Sequence, residues 1–142
     1  MILLDTNVLV YALGATHPLR EPSRRIVQSA KSDVEATTTI EVIQEFLHVF
    51  ARRRPRDEVG KAGRAFAKLL APLIEPDARD LGVGIDLFER HAGLSAFDAL
   101  IAAVALNHDA DALVTADQSF TVVPGLRVVD PRSPDLDTLL GR

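Results

Sequence analysis

Three consecutive apolar residues followed at once by a carboxylate, Ile2-Leu3-Leu4-Asp5, constrain this chain more than any other feature. An apolar run with nothing polar alternating through it reads as a strand buried on both faces. Strands of that kind belong to parallel sheets covered by helices. Asp5 then stands at the C-terminal edge of the strand, with Thr6 and Asn7 beside it. That edge is where ligands bind in open α/β sheets, so any further carboxylate delivered there would share a crevice with Asp5.

Further strands are expected at Glu35 to Thr38, where Thr is enriched, and at Leu73 to Glu75, Ala112 to Thr115 and Leu126 to Val129. Between them the apolar spacing is helical. Val8 to Leu13 reads as a short helix closing near Gly14, and Ser23 to Ala30 as a second with Ile26, Val27 and Ala30 inward. Ile40 to Arg52 is a strong helix, with Ile40, Ile43, Leu47 and Phe50 on one stripe and Thr39 as N-cap. Ala62, Ala65, Phe66, Leu69 and Leu70 mark the next, which Pro72 ends. Asp77 to His91 is helical by Leu81, Ile85 and Phe88, although Gly82 and Gly84 each cost about 1 kcal/mol there. Ser95 opens a helix running to about Asn107, so nearly apolar all round that it must be deeply buried. Leu136, Leu139 and Leu140 form one amphipathic turn in the tail. This alternation predicts an α/β fold with a central, mostly parallel sheet of about five strands and helices on both faces. Residues 1–142 suit a single domain.

Composition narrows the chemistry. The chain has no cysteine, which excludes disulfides, thiolate zinc sites and cysteine nucleophiles together. Its net charge is −4, whereas a protein that only coats nucleic acid is basic. Nucleic-acid binding here must be local, or depend on cations held by acidic groups. No segment has the roughly 18–20 apolar residues of a membrane span, and no basic leader precedes an apolar segment; the expected location is cytoplasmic.

Four carboxylates fall where one crevice can collect them. Asp5 and Asp117 follow strands, Asp98 lies in the first turn of the buried helix, and Glu45 is on the helix after the second strand. Each also has a structural reading. Asp5 can cap the next helix, Asp98 can pair with Ser95 as a capping-box variant, Asp117 can make an Asx-turn, and Glu45 can sit on a solvated face. Together they repel one another, so their pKa values rise or a cation neutralises them. Oxygen-only sites favour Mg²⁺ or Mn²⁺, and such an ion lowers the pKa of water and stabilises charge on a phosphoryl oxygen. Asp109 and Asp111 enter the fourth strand from the opposite edge.

In order along the chain, Leu3-Leu4-Asp5-Thr6-Asn7-Val8-Leu9, then Thr39 with Glu45, then Ser95-Ala96-Phe97-Asp98-Ala99-Leu100-Ile101-Ala102-Ala103, then Leu113-Val114-Thr115-Ala116-Asp117-Gln118-Ser119-Phe120 resemble the motifs of the PIN domain, specifically a VapC-type toxin of a bacterial toxin–antitoxin pair. The resemblance implies an endoribonuclease dependent on Mg²⁺ or Mn²⁺, hydrolysing RNA with a metal-activated water. It also implies a homodimer, inhibited by a small VapB-like antitoxin whose tail fills the active-site groove. Asp5, Glu45, Asp98 and Asp117 match the acidic positions, as metal ligands and catalytic groups, with Thr6, Asn7 and Thr115 as supporting polar neighbours.

Other readings fare less well. Glu45 and His48 form a single E-x-x-H, whereas di-iron bundles use that pair twice. A receiver domain would need a Lys near the last strands, and none follows Lys68. Arg52, Arg53, Arg54 and Arg56 are either a solvated helix end or contacts to the RNA backbone, which position without reading sequence. A PIN-like module silent in catalysis and retained for partner binding is the alternative function; cleavage with and without Mg²⁺ separates it from a nuclease.

Overall fold

The computed structural model describes residues 1–32 and 34–141. Strand β1 (Ile2–Leu4) is fully enclosed, as an unbroken apolar run requires. Helices α1 (Thr6–Leu13) and α2 (Arg20–Ser29) lead to β2 (Ala36–Thr37). Four helices follow: α3 (Ile40–Phe50), α4 (Arg56–Leu69), α5 (Ala78–Arg90) and α6 (Ala96–Asn107). The chain returns through β3 (Ala112–Val114), a 3-10 turn at Gln118–Val122, β4 (Val128–Val129) and a last short helix, α7 (Asp135–Leu139).

All pairings are parallel, in the order β2-β1-β3-β4, with Ile2 opposite both Ala36 and Ala112 and Val114 opposite Val129. From β1 the chain steps one way to β2, then crosses back over β1 to β3. With right-handed crossovers this reversal puts the connecting helices on opposite faces. It also places a topological switch point between β1 and β3, where such sheets open a crevice at their C-terminal edge. At the other edge, the Asp111 carboxylate pairs with the N-terminal ammonium.

The expected strand at Leu73 to Glu75 is reduced to a single bridge between Ile74 and Thr39. Ile74 donates to the Thr38 carbonyl at 3.0 Å and accepts from the Ile40 amide at 3.2 Å. Pro72 and Pro76 on either side have no N–H with which to lengthen the ladder, so the sheet has four strands and not five.

Two helix faces also differ from expectation. On α3 Val42 and Phe46 are fully buried and Ile43, Leu47 and Phe50 pack half-buried against the core as the stripe predicts, but Ile40 is exposed. On α5 the periodic trio Leu81, Ile85 and Phe88 is 53%, 48% and 51% exposed. Asp80, Gly84 and Leu87 face inward instead. Asp80 caps α5 by accepting the Asp77 amide and reaches Asn107 and His108 at the far end of α6. These partners, led by the Asn107 amide, hold its carboxyl below the usual range against the burial that raises it. Gly84 permits close contact, because a Cβ there would stand 3.3 Å from Leu100 Cα and 3.4 Å from the Ala99 carbonyl oxygen. The helix-propensity cost of this glycine is thus offset by packing against α6, whose inner positions are mostly alanine.

Candidate active site

Each of the four carboxylates is delivered by an element that starts or ends at the C-terminal edge of the sheet. Asp5 ends β1 and opens α1; its amide donates to the Val114 carbonyl at 3.1 Å, which ties it to β3. Glu45 lies on the second turn of α3, whose Thr39 cap accepts the Val42 amide at 3.2 Å. Asp98 lies in the first turn of α6, where Ser95 accepts its amide at 3.1 Å. Asp117 follows β3. All four, with Thr6, Asn7 and Ser95, line one cleft of about 340 Å³.

The structural roles weighed from sequence coexist with this convergence. Asp5 does cap α1, accepting the Thr6 amide at 2.7 Å. Asp117 does form an Asx-turn, accepting the Ser119 amide at 2.9 Å. Asp5 is only 6% exposed, and its other oxygen accepts from the Thr115 hydroxyl at 2.7 Å and the Asn7 side-chain amide at 3.0 Å. Asn7 donates also to the Thr115 hydroxyl oxygen and accepts the Ala116 amide, while that hydroxyl oxygen accepts the Asp117 amide. Asn7 and Thr115 therefore lock the ends of β1 and β3 together around Asp5. Thr6 donates its hydroxyl to Glu45 at 2.7 Å and fixes α3 against α1.

Electrostatics mark two of the four. Burial pushes Asp5 up from 3.8 to about 6; the donors from Thr115 and Thr6 oppose that rise, and Asp98 and Glu45 add to it. Asp98 is likewise raised to about 6, by burial first and then by the charge of Asp117, with Glu45 adding further and Ser95 opposing. Both groups give up their protons only near pH 6 in the metal-free fold, and a bound cation would favour the ionised form.

As the side chains stand, no three His, Asp or Glu among the described residues form a metal-ligating cluster. The donor set nonetheless suits a hard divalent ion, because the cleft's four charged side chains are all carboxylates and its other side-chain ligating atoms are oxygens. Three donors occupy Asp5, and a carboxylate has about four acceptor sites, so one remains.

Sequence reasoning missed the cleft's apolar wall of Val10, Tyr11 and Val49. Val10 and Tyr11 lie one helical turn beyond Asn7, and Val49 one turn beyond Glu45, a spacing that suits a core-facing residue as well as a cleft wall. Glu41, one helical turn before Glu45, lines a small adjoining crevice with Phe97 and Asp98, and its Oε2 is buried without a hydrogen-bond partner. Arg52, Arg53, Arg54 and Arg56 do not line the acidic cleft. Arg52 and Arg56 border a separate groove of about 510 Å³ between α3 and α4, with His48 and Val59, and Arg54 lies over the Phe50 ring.

Fold and site together define a parallel α/β protein with a carboxylate-lined crevice at its switch point. The chain belongs to the PIN domain family, whose model matches residues 2–126. It is 46% identical to Ribonuclease VapC7 of Mycobacterium tuberculosis, over 99% of both chains. Its fold is similar to that of FitAcB from Neisseria gonorrhoeae, with a TM-score of 0.73, 20% identity and coverage of 92% of this chain and 98% of that one. A toxin–antitoxin complex from Klebsiella pneumoniae is similar too, with a TM-score of 0.69, 19% identity and coverage of 94% and 99%.

Proposed function

We propose that the chain is a VapC-type endoribonuclease, the toxin of a toxin–antitoxin pair, dependent on Mg²⁺ or Mn²⁺. The observation that carries this reading is the convergence of Asp5, Glu45, Asp98 and Asp117 on one cleft; the likeness to Ribonuclease VapC7 along the whole chain supports the RNA substrate. Asp5 and Asp98 would hold the ion, with Glu45 and Asp117 completing its shell after side-chain rotation. An ion bound there supplies Lewis acidity toward a phosphoryl oxygen and lowers the pKa of water. The chain's own part is positioning: Thr6 holds Glu45, and Asn7 with Thr115 holds Asp5. Arg52, Arg53, Arg54 and Arg56, outside the cleft, would steady the RNA backbone.

A small antitoxin is the expected protein partner, and the shared fold of the Klebsiella pneumoniae complex is compatible with one. A homodimer is proposed on the apolar stripe of Leu81, Ile85 and Phe88, the face of α5 that this chain leaves uncovered. The function is tested by incubating the protein with total RNA in Mg²⁺ or Mn²⁺, then in chelator, then with cation restored. Cleavage that appears, stops and resumes supports the nuclease. No cleavage with either cation favours the silent binding module.

A further inference from the structure

Beside its carboxylates the cleft has a wall that a phosphodiester alone does not require. Val10 and Tyr11 of α1 and Val49 of α3 form it. The two helices pack against each other, and each starts where a strand ends, so the wall runs from the acidic floor toward their C-terminal ends. Among the described residues lining the cleft there is no Lys or Arg. Tyr11 is the chain's single tyrosine. Its half-buried ring is stacked on that of His17, with centroids 4.5 Å apart and planes 28° from parallel, so its tilt is held in advance of any ligand.

We propose that Tyr11 is a stacking platform for a nucleobase of unpaired RNA, whose adjoining phosphate lies among the carboxylates. The inference rests on the ribonuclease reading and adds to it the residue that holds a base next to the scissile phosphate. Bases in loops and ends offer their faces to aromatic side chains, whereas bases inside a duplex are already stacked. A cleft of about 340 Å³ lies at the lower end of small-ligand pockets, the scale of one nucleotide and not of a helix. With no Lys or Arg among the described residues of its walls, the cleft offers the strand a base-stacking contact beside any ion held by its carboxylates; such stacking is sequence-tolerant and worth roughly a ten-fold or larger factor per base.

The test compares wild type, Tyr11→Leu and Tyr11→Phe on an RNA that wild type cuts from total RNA. Leu is a good helix former and keeps the wall apolar, so α1 stays folded, which the unfolding temperature checks. Tyr11→Leu is expected to raise KM about ten-fold, with a much smaller change in kcat, as for loss of an interaction present before and during the reaction. Tyr11→Phe restores the wild-type KM. With no tryptophan in the chain, the emission of Tyr11 is a second readout: a nucleoside 5′-monophosphate quenches it, and ribose 5-phosphate, the same anion without a base, does not. Equal KM for Tyr11→Leu and wild type, or equal quenching by both compounds, overturns the platform while leaving the nuclease in place. If wild type cuts no RNA, the nuclease reading fails, and the quenching comparison alone decides whether Tyr11 stacks a base.

Discussion

Burial is the main cause of the raised pKa at both Asp5 and Asp98, but their hydrogen-bond surroundings differ, and their substitutions separate accordingly. Asp5 is surrounded by donors, so Asn at that position presents an amide to the Asn7 side chain and to a Thr115 hydroxyl that already accepts two hydrogen bonds. Relief of charge and loss of the network oppose each other there. Asp98 has only the Ser95 hydroxyl at hand, so Asp98→Asn relieves charge at little structural cost. Its metal-free unfolding temperature should equal or exceed that of wild type, measured in chelator at pH 7; a clear fall would make Asp98 a structural cap. The pH dependence follows from the same groups. In the unfolded chain both ionise near 3.8, and in the fold near 6. As pH rises from about 4 to 6 the unfolded state sheds these protons first. The metal-free protein should therefore lose stability through that window, by up to about 3 kcal/mol for the buried Asp5 and less for Asp98. Asp80 and Asp130, whose pKa values are lowered, cost stability only below that window. Urea unfolding at pH 4.5 and 7 in chelator checks the sign, and cation binding should weaken as pH falls through about 6.

At the scale of elements, α5 and α6 decide how Asp98 is presented, and Gly84 sets their distance. Gly84→Ala would place a methyl against the α6 backbone, where neither side yields easily. A loss of about 1–3 kcal/mol is expected, read as a lower urea midpoint, whereas Gly82→Ala meets open space and should be neutral or slightly stabilising. Most of this level was legible in the sequence. β1, β3 and α6 are unbroken or nearly unbroken apolar segments, and Ser95 and Thr39 are strong caps. What was not legible depended on tertiary context. The 81-85-88 periodicity of α5 marks an apolar face without saying whether this chain covers it, and a buried Asp80 takes the inner side because Asn107 and His108 meet it there. Leu73 to Glu75 has strand composition, but two flanking prolines and one available neighbour limit it to a bridge. In the site, the acidic positions were readable because charge at a strand end is conspicuous. Tyr11 and Val49 were not, because an apolar residue on an amphipathic helix looks the same whether it faces the core or a ligand.

For the whole molecule, the apolar stripe of α5 and the acidic cleft make separate claims. Leu81→Asp with Phe88→Asp should convert a dimer to monomer in sedimentation at micromolar concentration; a wild type that is already monomeric rules out the homodimer. Neither change touches the cleft. If the fold serves to bring four carboxylates to one divalent ion at a phosphodiester, as proposed, cleavage of total RNA by Asp98→Asn beside wild type in Mg²⁺ or Mn²⁺ is the decisive measurement. The mutant should fold normally and cleave on the order of 100-fold less or worse, since even residues outside a metal's own shell cost 10- to 100-fold. An Asp98→Asn protein as active as wild type, or wild-type cleavage undiminished in chelator, would contradict that proposal.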